Sequence, residues 1–182
     1  MAVSENKTGF NTTAVVLLGA GGCDPVVSEE PYKPAALAAK VIVAEVNRKM
    51  PRTLGDSFIH VSKIDAFVEV DRPMDEFRPD PATEVEKLIG RNVASLIADE
   101  SCLQLGLGSI PNAVLDFLGD HRDLGVHTEM FTEALPHLVN RGIVTGDRKN
   151  FHPGKVVAGF IMGTRAVINL IYGHKRVERL SI

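Results

Sequence analysis

The 182-residue chain has no tryptophan, only 5% aromatic residues and just two cysteines. Cys23 and Cys102 lie far apart with no CxxC or other metal-ligand spacing. That excludes a disulfide framework and a cysteine-rich metal module, and fits two buried thiols in a reducing compartment. Charge of one sign is missing too: 20 Lys and Arg stand against 23 Asp and Glu, a net −3. So weak a field argues against nucleic acid and against an anionic membrane surface. No apolar run approaches the roughly 20 residues of a membrane span, and the opening MAVSENKTGF carries no apolar signal core. These absences predict a soluble, cytoplasmic protein with no nucleic-acid or membrane partner. What remains is ordinary globular material, 45% hydrophobic, enough for a real core. No internal repeat or low-complexity tract interrupts it.

The stretch from Cys102 to Met130, CLQLGLGSIPNAVLDFLGDHRDLGVHTEM, concentrates the chemistry. Leu103, Leu105 and Leu107 alternate as in a strand, Gly106 and Gly108 turn the chain, and Ile110, Val114, Leu115 and Leu118 recur at helical spacing. Pro111 suits the first helical turn, where its missing N–H costs nothing, and Gly119 suits a left-handed stop after Leu118. A short strand, Leu124 to Thr128, then delivers Glu129 to its C-terminal end. In open α/β sheets the crevice beyond the strand C-termini is where ligands bind. Amides at a helix start stabilise developing negative charge, and a carboxylate serves as base or nucleophile.

The flanks supply the scaffold. Ala14 to Gly22 reads as a buried strand entering a glycine turn, but GAGGCDP lacks the third glycine of a dinucleotide fingerprint. Pro34 to Lys40 predicts a short helix and Val41 to Asn47 a strand buried on both faces. A loop punctuated by Pro51 and Gly55 follows, with Arg52 and Asp56 pairing or capping it. Next comes a strand from Phe58 to Val61, whose His60 is a hydrogen-bonded structural group on the face opposite Ile59. Val68 to Pro81, rich in proline and acids, marks a linker or exposed crossover. Thr83 and Glu86 form a capping box for a helix whose Val85, Leu88, Ile89, Val93, Leu96 and Ile97 share one face, the pattern of a core-facing stripe. A second α/β unit thus starts near Ala82, and its alternation of helix and strand implies parallel strands with right-handed crossovers. Phe131 to Arg141 predicts a helix with Leu135, Leu138 and Val139 inward and Gly142 as its stop. A polar loop from Thr145 to Lys155, a buried strand from Val156 to Gly163, a helix capped by Thr164 through Ile171, and a strand from Val177 complete the chain.

GLGSIPNAV (Gly106 to Val114) followed by GVHTEMF (Gly125 to Phe131) resembles the acetyl-CoA hydrolase/transferase family, most closely its 4-hydroxybutyrate or acetate CoA-transferase branch. Asn47 to Asp65 is similar to that family as well, and so is the pattern of Thr145, Gly146, Lys149, Gly154, Lys155, Val157, Phe160, Gly163 and Thr164. The likeness runs from about Ala36 to Thr164. It implies an α/β fold made of parts of two CoA-transferase-like open parallel-sheet domains. Residues 1–80 would be the C-terminal portion of the first, and 81–182 the N-terminal portion of the second, carrying the glutamate. A chain so bounded implies a homo-oligomer or a complementing chain that supplies the missing parts. By the same resemblance Glu129 is the nucleophile and the main-chain amide of Ile110 an oxyanion donor. Gly106, Gly108, Ser109, Lys149 and Lys155 fall at CoA-binding positions. CoA is substrate and product, with no permanently bound cofactor and no metal, and the partners are an acyl-CoA and a small carboxylic acid. Transfer would run through a glutamyl-CoA thioester, and with water as acceptor the same site is an acyl-CoA hydrolase. One departure concerns Glu133-Ala134, which stands where the family has an acidic residue followed by glycine.

Three readings of the residues compete with this one. Glu129 can be a carboxylate that caps the next helix or pairs with Arg122. Gly106, Gly108 and Glu129 can belong to a dinucleotide-binding Rossmann unit, although the third glycine is absent. The chain can also be a non-catalytic fragment or interaction module. His127 reads as a core or loop-ordering group.

Overall fold

A computed structural model describes residues 3–4, 13–19, 36, 38–51, 53–55, 59–172 and 174–179, the first two stretches by backbone alone. Its strands are β1 (Val3–Ser4), β2 (Thr13–Gly19), β3 (Val41–Asn47), β4 (Leu54–Gly55), β5 (Ala66–Val70), β6 (Cys102–Leu103), β7 (Gly125–Phe131), β8 (Val156–Ile161) and β9 (Val177–Arg179). Its helices are α1 (Glu84–Ala94), α2 (Ser109–Asp116), α3 (Leu135–Asn140) and α4 (Arg165–Ile171). The expected features at Cys23, Arg52, Asp56 and Phe58, and the glycine turn after Gly19, lie outside the described residues.

Two sheets form. The first has the order β1-β2-β3-β5, with β1 antiparallel to β2 and the remaining pairs parallel. The second, β4-β9-β8-β7-β6, is parallel throughout. β4 comes early in the chain yet pairs with β9, and so links the first half of the sequence to the second sheet. From β6 to β9 each strand neighbours the next in chain order, an arrangement in which crossovers of one hand put the connecting helices on one face. The core agrees: Val126, Val156, Ala158 and Val177 of the strands pack with Leu115 of α2, Leu135 and Leu138 of α3, and Val167 and Ile171 of α4. β8 is buried at all six positions, which explains its unbroken apolar run.

Local hydrogen-bond chemistry sets several boundaries where expected. Thr83 and Glu86 make both bonds of the capping box. Thr164 caps α4, and Gly142 ends α3's turn at φ 72°. β3 spans the anticipated residues, but it is not buried on both faces: Ile42, Ala44 and Asn47 are buried, Val43, Glu45 and Val46 half-buried and Val41 exposed.

Other expectations need correction. Ile59 and His60 are not in a strand; His60 instead caps a 3-10 turn at Val61–Lys63, its Nδ1 accepting from the Ser62 amide at 3.2 Å. The strand comes later, as β5, and takes Val68 to Val70 out of the anticipated linker. Residues 71–82 then run as a strap without regular structure. Its start is tied to β3 by Asn47 Nδ2, which donates to the Arg72 carbonyl at 2.9 Å, and the Phe77 amide donates to the Gly163 carbonyl at 3.1 Å. The apolar stripe of α1 faces outward: Val85, Leu88, Ile89, Val93 and Leu96 are all exposed. The helix packs instead through Gly90 and Ala94, its buried residues, onto α2. A Cβ at Gly90 would sit 2.8 Å from the Ala113 carbonyl carbon, so helices approaching this closely need the small residues at the contact. Gly119 is not left-handed; α2 ends at Asp116, and the space a side chain would need at Gly119 is taken by the Arg141 guanidinium, 3.1 Å away. Cys102 is an exposed free thiol rather than a buried one. Among the described residues, no helix is long and apolar enough to cross a membrane.

Candidate active site

β7 positions the site. Pairing with β8 holds it extended through Phe131, three residues past the expected end, so Glu129 lies inside the strand. Alternation puts Val126, Thr128 and Met130 on one face and His127 and Glu129 on the other. The first three are buried and Glu129 is exposed. Among the described residues the Glu129 carboxylate has no hydrogen-bond or ion-pair partner, which removes the capping and Arg122-pairing alternatives.

The glycine loop runs beside this part of β7. β6 stops at Leu103, opposite Val126. Beyond it the Thr128 hydroxyl accepts from the Leu105 amide at 2.8 Å and donates to the Leu105 carbonyl at 3.0 Å, clamping the loop to the residue before Glu129. Counting on from these pairings puts Gly106 alongside Glu129, where a Cβ would meet nothing within 4 Å. The space beside Gly106 is therefore open. Gly108 caps α2 at φ 129°, a conformation that L side chains rarely adopt, and makes no side-chain cap bond. Pro111 in the first turn has no N–H, and the Ser109 and Ile110 amides have no acceptor among the described residues. Those donors are the unpaired set that the sequence pointed to at Ile110.

The predicted site residues separate into two groups. Gly106, Gly108, Ile110 and Glu129 gather at the C-terminal half of β7. Ser109 stands there too, but its hydroxyl is hydrogen-bonded to Glu86 of α1. That bond, with those from Thr83, holds the Glu86 carboxyl below the usual range. Lys149 and Lys155 are elsewhere and are committed. The Lys149 ammonium is buried and donates to the carbonyls of Val126 and Lys155, each at 2.9 Å. Burial lowers its pKa, partly offset by Cys102 and Glu178. Lys155 pairs with Glu178 at 2.8 Å and donates to the Lys175 carbonyl at 2.7 Å. These are bonds that order the 145–155 loop, not donors held ready for a phosphate. His127 joins the same loop, its ring stacked 5.8 Å from Phe151 and edge-on to His152. Burial, then the nearby Lys149 and His152, holds its pKa below the ordinary histidine value. Glu133 has a structural partner as well: its carboxylate accepts from the Thr164 amide at 2.8 Å and from the Thr164 hydroxyl at 2.7 Å, fixing the start of α4.

Sequence reasoning missed Thr128 and Met130, and it read the strap as a linker or exposed crossover without placing it beside the glycine loop. Phe77, Pro79 and Asp80 of the strap close a cleft of about 220 Å3 against Gly108, Ser109 and Met130. Thr128 had a signal: a buried hydroxyl in an apolar strand needs a partner, and a loop beside it supplies one.

No family model matches the chain. Individual relatives do. It is 48% identical over 162 residues to a 4-hydroxybutyrate coenzyme A transferase of Clostridium kluyveri, a match covering 89% of this chain and 38% of that protein. It is 40% identical over 163 residues to a succinyl-CoA:acetate/propanoyl-CoA:succinate CoA transferase of Fasciola hepatica, covering 89% of this chain and 34% of that protein. Among solved structures, a 4-hydroxybutyrate CoA-transferase from Porphyromonas gingivalis superimposes with a TM-score of 0.87 at 42% identity, covering 92% of this chain and 44% of that one. RipA from Yersinia pestis gives 0.87 at 32% identity, covering 96% and 41%. The chain thus spans about two fifths of the length of the relatives it matches.

Proposed function

Because the chain belongs to the CoA-transferase family over the residues that match, we propose that it carries the nucleophile and one oxyanion donor of an acyl-CoA:carboxylate CoA-transferase. The observation that carries this reading is Glu129, an exposed carboxylate without a partner among the described residues, on a strand clamped by Thr128 to the glycine loop that starts α2.

A glutamate is ionised at pH 7 without a separate base. Its oxygen attacks the thioester carbonyl, the C–S bond breaks, and the CoA thiolate leaves a mixed anhydride on Glu129. The thiolate then attacks the glutamyl carbonyl, releasing the first acyl group as its carboxylate and leaving a glutamyl-CoA thioester. An acceptor carboxylate reverses the sequence and regenerates the free side chain. Each addition puts negative charge on a carbonyl oxygen, and the unpaired Ile110 amide is the donor assigned to it, worth roughly 3 to 4 kcal/mol in comparable sites. The open space beside Gly106 leaves room for that oxygen to approach. The 4-hydroxybutyrate and succinyl relatives favour short carboxylic acids as the acyl partners.

Exchange is the direct assay. With an acyl-CoA and an isotope-labelled short carboxylic acid, the chain is expected to place the label in new acyl-CoA, and Glu129→Gln is expected to lose this. CoA released at one rate with and without the acid would replace transfer by hydrolysis. No exchange and no release would overturn both.

A further inference from the structure

We propose that the outer face of α1 and the free edge of β6 form one interface for a second copy of this chain, related to the first by a two-fold axis. On α1, Val85, Leu88, Ile89 and Val93 are exposed, and Leu96, in the turn that follows, is 84% exposed. At helical spacing these side chains and Asn92 fill one arc of the helix, on the side away from Gly90 and Ala94, which are buried against α2. No charged residue falls in that arc. The charged residues of α1 lie beside it and are engaged within the chain: Glu84 with Lys87 at 2.8 Å, Glu86 with Thr83 and Ser109, and Arg91 over the Phe117 ring at 5.1 Å. A contiguous apolar face without charge marks a protein contact. A helix that seeks a membrane surface carries basic residues free to meet lipid instead.

β6 points to the same occupant. It ends its sheet, paired with β7 on one side and with no strand on the other among the described residues. Ser101 to Leu105 carry neither charge nor proline, the usual guards of an open edge. α2 joins β6 to β7 and packs on that sheet, so the arc of α1 turned away from α2 looks out past β6. A two-fold normal to the sheet therefore sets β6 antiparallel to its copy and α1 antiparallel to its copy in one operation. An isologous contact needs a face that matches its own reverse, and α1 has one. Leu88, Asn92 and Leu96 stand four residues apart, so an axis at Asn92 lays Leu88 of each copy on Leu96 of the other. The two Asn92 amides then face each other, each able to donate and accept. A stable interface covers about 800 Å2 per partner, more than one short helix supplies, and the adjoining strand edge extends it.

Sedimentation equilibrium of the whole chain tests this. The wild type is expected to run as a dimer that dissociates on dilution. Leu88→Glu is expected to weaken dimerisation at least about thirtyfold, as loss of an interface anchor does. Its circular dichroism is expected to stay that of the wild type, because Leu88 is already 57% exposed. Asn92→Cys in a Cys102→Ser background is expected to form a disulfide between copies on mild oxidation, mapped to position 92 by peptide mass analysis. A wild type that stays monomeric at every concentration overturns the proposal. So does a dimer that Leu88→Glu leaves intact, which would place the contact elsewhere, and so does a monomer that binds liposomes, which would make the face a membrane contact. If Leu88→Glu disturbs the fold, the disulfide decides: its formation upholds the axis at Asn92 and its absence overturns it.

Discussion

The two halves of β7 treat their polar neighbours in opposite ways. Beside its first residues, the Lys149 ammonium is bonded to two carbonyls and His127 is stacked on Phe151. Beside its last residues, the Glu129 carboxylate and the Ser109 and Ile110 amides are unpaired among the described residues. The first set is held by the fold, whereas the second is solvent-facing and open to a ligand at the C-terminal half of a parallel strand. Glu133 sharpens the contrast. It lies four residues beyond Glu129, carries the same functional group, and is engaged by Thr164.

The largest effect is expected at the open end. Glu129→Gln is predicted to cut acyl exchange by at least about 10⁴-fold, as removal of a nucleophile does, with the melting temperature unmoved because no bond is lost. A fall in melting temperature would show that the side chain is structurally engaged and would break the contrast. At the closed end, Lys149→Met is predicted to cost about 2 to 4 kcal/mol in urea unfolding, because two carbonyls lose a charged donor. Unchanged stability would remove its structural role. Glu133→Gln is predicted to cost about 1 kcal/mol, the usual worth of a helix cap, while the folded protein keeps its exchange rate within a few-fold. A loss as deep as that of Glu129→Gln would make both carboxylates part of the chemistry.

The smallest effect is a pH dependence. His127 titrates below its ordinary value of 6.5 in the folded chain, through burial first and then the charges of Lys149 and His152. Between the folded and unfolded values the unfolded chain binds more protons, so stability rises with pH there. His127's contribution is complete above the ordinary value and lost as pH falls through the folded one. His127→Gln is predicted to flatten the stability profile on the acid side of neutrality, measured by urea midpoints across pH. An unchanged slope would assign the acid loss to other groups.

Features governed by a few neighbouring residues were legible in the sequence. The capping box at Thr83, the Thr164 cap, the Gly142 stop and the span of β3 all follow from local hydrogen bonds or an unbroken β-branched run. Features governed by distant partners were not. The stripe on α1 has the right period, but Gly90 meets the Ala113 backbone and turns the leucines outward. Lys149, which the resemblance put at a CoA-binding position, donates to a carbonyl of β7 that its own loop sequence does not reveal. Glu129 and the glycine loop were identifiable from residue type and spacing, whereas the Thr128 clamp that joins them became visible only when β6 and β7 were paired.

The central claim is that Glu129 is the group that accepts the acyl-CoA. Incubation with an acyl-CoA in the absence of acceptor, borohydride reduction, and peptide mass mapping test it at the atom concerned. The account predicts a reduced side chain at Glu129 alone, absent from Glu129→Gln. An unmodified chain, or modification at Glu133 or any other carboxylate, would contradict it.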